Sequence, residues 1–76
     1  METKTVVIQS GMRFVFTKRK NREYVRAYDQ AGLLMMPDCE VLSLSPIDIG
    51  EKLVFEFDAG SWCDRFESQG SIIDII

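Results

Sequence analysis

Lys52-Leu53-Val54-Phe55-Glu56-Phe57 sets large apolar side chains at every second position, and Gly50 opens the run. A strand turns successive side chains to opposite faces, so this period of two predicts a β-strand with Leu53, Phe55 and Phe57 inward and Val54 and Glu56 outward. The same period recurs upstream in Met12-Arg13-Phe14-Val15-Phe16-Thr17, where Met12, Phe14 and Phe16 share a face. Val6-Val7-Ile8 precedes that run across Gln9-Ser10-Gly11, and Ser10-Gly11 reads as a hairpin turn. From Arg22 to Tyr28, Val25 and Ala27 alternate with Tyr24, Arg26 and Tyr28, after the charged connection Lys18-Arg19-Lys20-Asn21. Asp29-Gln30-Ala31-Gly32 is a turn by composition. Leu33-Leu34-Met35-Met36 is a short apolar run stopped by Pro37, and its place between β runs favours a strand. Cys39 to Leu44 alternates weakly and ends before Ser45-Pro46, which does not fit a central strand.

These runs predict a mainly β chain: a small antiparallel β-sheet or barrel of about five or six short strands, folded as a single domain over 1–76. One helical element interrupts the expectation. Ser61-Trp62-Cys63-Asp64 matches a capping box, so a short helical turn is predicted over 62–67, with Trp62 and Phe66 on one face at i, i+4.

The size and the residue types narrow the function. With 76 residues the domain holds only a small core, which leaves no room for a deep substrate cavity. Histidine is absent, and with it the usual general base, the commonest metal ligand and any Ser-His or Cys-His nucleophile. Cys39 and Cys63 are too few for a structural zinc site, and they read as reduced, partly buried thiols, with a disulfide open if their strands are neighbours. The expectation is therefore a protein without catalysis, metal or cofactor. No apolar run is long enough for a membrane helix, and the start Met1-Glu2-Thr3-Lys4 does not read as a secretory leader, so a cytoplasmic location is expected.

Charge is distributed unevenly along the chain. Residues 1–37 carry a net charge of +4 and residues 38–76 a net charge of −7, which the total of −3 conceals. Arg13, Lys18, Arg19, Lys20, Arg22 and Arg26 crowd one strand-turn-strand unit, and clustered cations suit polyanions because they release condensed counterions. The six are candidate nucleic-acid contacts, DNA included, although charged edge strands that discourage sheet aggregation account for them too. Phe14, Phe16, Tyr24 and Tyr28 interleave with these cations; base stacking on them is one reading, and burial as core the commoner one.

The end of the chain, Ser71-Ile72-Ile73-Asp74-Ile75-Ile76, sets isoleucines side by side. An extended segment of this kind presents isoleucine on both faces, and a small core covers only one. Trp62, Phe66, Ile73 and Ile75 are accordingly candidate contacts to a protein partner, with completion of the domain's own core and a tail-sharing homodimer as the competing readings.

The stretch from Gly60 to Ile75 resembles the toxin-binding tail of VapB-type antitoxins. Trp62, Phe66, Asp74 and Ile75 occupy the tail positions of that family, and Gly50-Glu51-Lys52-Leu53-Val54-Phe55-Glu56 is similar to a stretch common in AbrB-type domains. Thr17-Lys18 and Arg65 depart from the family's pattern. The resemblance implies a tail over 60–76 that wraps a ribonuclease toxin, with Asp74 among its contacts, and an N-terminal half that dimerises and binds operator DNA. A reading from another class is a small acidic inhibitor or adaptor of the phage type. In it Asp38, Glu40, Asp48, Glu51, Glu56, Asp58, Asp64 and Glu67 form a rim facing a basic site on a host enzyme.

Overall fold

Val6 and Ile8, Phe14 and Phe16, Val25 and Ala27, and Leu53 and Phe55 are four pairs spaced by two residues, and all eight side chains are buried. Each pair belongs to a strand of the computed structural model, which describes residues 2–76. The strands are Glu2–Ile8 (β1), Arg13–Arg19 (β2), Arg22–Tyr28 (β3), Leu34–Leu44 (β4), Lys52–Asp58 (β5) and Cys63–Ile75 (β6). Each pairs antiparallel with the next, and β6 returns to β1, closing a barrel of six strands. Closure gives every strand a neighbour on each side, although β4 and β6 each pair with their two neighbours over different parts of their length.

Phenylalanines fill the interior. The Phe55 ring lies 6.0 Å from Phe14, 5.5 Å from Phe16, 5.7 Å from Phe57 and 5.3 Å from Phe66. Phe14 and Phe66 approach to 4.9 Å. Edge-on and tilted packing of this kind adds to the burial of the rings. Met36, Cys39, Val41 and Leu44 line the β4 side of the core, partly buried.

Irregular registers let so few strands curve shut. Val25 pairs with Cys39 and Ala27 with Met36, so Pro37 and Asp38 both stand opposite Arg26. Two residues against one is a β-bulge, a place where proline's missing N–H does no harm. The run stopped by Pro37 and the run from Cys39 are thus one strand bent at a bulge. A second irregularity lies between β5 and β6, where Lys52 pairs with Ser71 but Val54 with Glu67. There the Ser68 hydroxyl, 2% exposed, accepts from the Leu53 N–H at 2.9 Å and donates to the Gly70 carbonyl at 2.6 Å. At the closing seam Val7 pairs with Asp74 and Ile8 with Ile72, leaving Ile73 as the extra residue.

The expected helical turn over 62–67 is corrected: Cys63 onward is strand, and no helix occurs among the described residues. Asp64 does not reach back to cap; its carboxylate accepts from the Arg65 N–H at 2.8 Å. A single helical turn is marginal by itself, whereas β5 offers these residues a full ladder, with Phe57 opposite Asp64 and Phe55 opposite Phe66. Strand geometry also sends Phe66 against Phe14 and Phe55 while Trp62 stays in the connection, where its carbonyl accepts from the Ala59 N–H.

Candidate functional site: the outer face of the barrel

The β2–β3 connection holds only Lys20 and Asn21, at φ of 49° and 66°. Two consecutive left-handed residues match the twist of a tight hairpin, and asparagine tolerates that region better than most side chains. The turn fixes the register of the hairpin: Arg13 opposite Tyr28, Val15 opposite Arg26, Thr17 opposite Tyr24 and Arg19 opposite Arg22. The intervening pairs, Phe14 with Ala27 and Phe16 with Val25, point inward, so these rungs point outward. Strand parity therefore gathers Arg13, Arg19, Arg22 and Arg26 with Tyr24 and Tyr28 on one external face. Lys20 extends it at the exposed turn, whereas Lys18, opposite Glu23, takes the parity of Phe14 and Phe16 and lies exposed at the end of the barrel.

Carboxylates on β4 hold part of this charge. Asp38, aimed by its bulge, lies 3.3 Å from Arg19 and 3.2 Å from Arg26, and Glu40 lies 3.8 Å from Arg22. All these groups are substantially exposed, so the pairs orient side chains more than they stabilise the fold. No carboxylate of the described residues lies within 4.0 Å of Arg13, Lys18 or Lys20. The Arg19 guanidinium sits over the Tyr24 ring, 4.3 Å from its centre. Arg19, Lys20, Arg22 and Tyr24 line a shallow hollow of about 400 Å³. A second hollow, of about 300 Å³, is lined by Thr5, Arg13, Val15, Tyr28 and Gly32.

The residues expected in a partner-binding tail divide between core and surface. Phe66 and Ile75 pack against the core, and Ile72 is buried within it. Trp62 is 61% exposed, Ile73 51% and Ile76 74%, and Asp74 lies exposed between them. The extra residue at Ile73 resets the strand parity, so the core takes Ile72 and Ile75, one from each adjacent pair. Leu33, Leu34 and Met35, at the start of β4, form a further exposed apolar run. Residues 63–75 of the expected tail are thus built into the wall of the barrel as β6.

Several carboxylates of the anticipated acidic rim have partners within the chain. Asp38 and Glu40 face arginines, Glu67 lies 3.9 Å from Lys52 and 3.3 Å from Arg65, and Glu56 accepts from the Ser43 hydroxyl at 2.7 Å. Asp58 accepts from the Gly60 N–H at 2.8 Å. Cys39 and Cys63 are free thiols; burial, aided by Asp38 and Asp58, pushes the Cys39 thiol above its ordinary range. No group of three or more Cys, Asp or Glu side chains suited to a metal ion occurs among the described residues, and no helix is long and apolar enough to cross a membrane. No family model, curated protein or solved structure matches the chain.

The outward tyrosines are the main feature that composition obscured. Aromatics in a small β protein default to the core, yet the alternation of Tyr24 and Tyr28 with Val25 and Ala27 carried the signal. The counter-ions of the arginines had no local signal, because Asp38 and Glu40 reach them only through the β3–β4 pairing.

Proposed function

We propose that this chain is a non-enzymatic binding protein that controls a partner enzyme by docking side chains of a rigid barrel against it. The observation that carries the reading is the exposure of Trp62 and Ile73 beside a core already completed by Ile72, Phe66 and Ile75. An exposed tryptophan on so small a domain offers a partner one of the strongest interface anchors.

Two versions remain, the inhibitor or adaptor and the antitoxin. The inhibitor or adaptor fits the geometry better, because wrapping a toxin with residues 60–76 in the manner of a VapB-type tail would pull Phe66 and Ile72 out of the core. An antitoxin of this architecture would grip its toxin with Trp62, Ile73 and Asp74 while Phe66 and Ile75 stayed in place.

Comparison of the protein with a Trp62→Ala, Ile73→Ser double variant as affinity bait in extract of the native cell tests the reading. The expected result is an enzyme retained by the natural sequence alone, whose activity falls when the barrel is added. Equal retention by both baits, with the variant still folded, contradicts it.

A further inference from the structure

We propose that the outer face of the β2–β3 hairpin binds single-stranded nucleic acid, with Tyr28 and Tyr24 supplying the stacking surfaces and Arg13 and Lys20 the phosphate contacts. The surface lies on β2 and β3, apart from Trp62 and Ile73 in sequence, so the inference stands independently of the partner-docking proposal.

Charge is the first support. β1 to β4 with the β2–β3 turn carry a surplus of three positive charges over Glu2, Glu23, Asp38 and Glu40, in a chain whose total is −3. The surplus resides in the cations that β4 leaves uncompensated, and Arg13 and Lys20 each border a hollow. A polyanion approaching the molecule meets this side first.

Placement of the aromatics is the second. Each hollow sets a tyrosine beside cations: Tyr28 with Arg13 over a floor of Val15, and Tyr24 with Arg19, Lys20 and Arg22. Both rings are partly exposed on the outside of a closed core. Four residues of strand separate them by about 13 Å, so a single strand running along the hairpin would reach both. At Tyr24 the stacked Arg19 adds a planar guanidinium, which bases use as they use an aromatic ring.

The single strand is favoured over the duplex because only unstacked bases expose faces to such platforms. Asp38 gives the inference a distinctive consequence. It stands in for phosphate at Arg19 and Arg26, so removing its charge should release two more cations to the ligand.

Fluorescence anisotropy with a labelled oligothymidylate of about 15 nucleotides, near the upper site size of a small barrel module, is the test. Binding is expected at low salt, with log affinity falling against log salt by about 0.7 for each phosphate neutralised. Tyr28→Leu should weaken binding about 5- to 100-fold with the melting temperature preserved. Arg13→Ala should flatten the salt slope, and Asp38→Asn should tighten binding and steepen the slope. The proposal is overturned by no binding at low salt. It is equally overturned if a duplex or heparin binds as tightly as the single strand while Tyr28→Leu has no effect, or if Asp38→Asn weakens binding.

Discussion

Ser68 shows how a single side chain holds an irregular wall together. Its hydroxyl receives the Leu53 N–H and returns its own proton to the Gly70 carbonyl, closing a stretch where the ladder between β5 and β6 slips. The neighbouring Gly70 is small for a related reason, since a Cβ there would stand 2.5 Å from the Gln9 amide oxygen and 2.9 Å from the Gln9 Cβ. Ser68→Ala should cost about 1–3 kcal/mol, because a buried amide loses its acceptor and nothing replaces it. Urea denaturation of the two proteins would measure this directly. A loss within the scatter of surface substitutions would mean that water or a local shift satisfies Leu53 instead.

At the scale of the element, β6 departs furthest from expectation. Strand periodicity made Phe14 and Phe16, Val25 and Ala27, and Leu53 and Phe55 legible as core residues, because their own alternation runs uninterrupted even where the partner strand carries the bulge. Bulges erase that legibility. At Pro37 a bulge joins two runs that look separate, and at Ile73 another exchanges inside for outside within a residue. The capping pattern at Ser61 was overridden by the ladder that β5 offers to Cys63, Asp64, Arg65 and Phe66. The candidate surface was legible in part. The cations and their crowding could be read from spacing, but their pairing with Asp38 and Glu40 depends on a register no local pattern encodes. The Ile73 bulge predicts an asymmetry between neighbours. Ile72→Ser should cost about 2–5 kcal/mol or more, as a large apolar side chain leaves the core, whereas Ile73→Ser should stay within about 0.5 kcal/mol. Thermal or urea unfolding of both variants checks the contrast, and equal losses would place both side chains in the core.

For the whole molecule, closure is the property on which everything else depends. A sheet closed in a ring can display cations and tyrosines outside while phenylalanines fill the inside. Closure rests on the seam between β1 and β6. Thr5 donates to the Ile76 carbonyl at 3.0 Å and accepts from the Ile76 N–H at 2.8 Å, and Gln9 donates to the Ser71 carbonyl at 3.1 Å. Were residues 60–76 a detachable tail, these amides would open far more readily than the rest of the sheet. Native-state hydrogen exchange followed by NMR separates the two cases, because amides that open only on global unfolding are protected to the full stability of the domain. The seam amides of Thr5 and Gln9 are predicted to exchange with free energies matching those of Phe14 and Phe55 in the core. Rapid exchange at Thr5 and Gln9 while Phe14 and Phe55 stay protected would contradict the closed barrel and restore the wrapping tail.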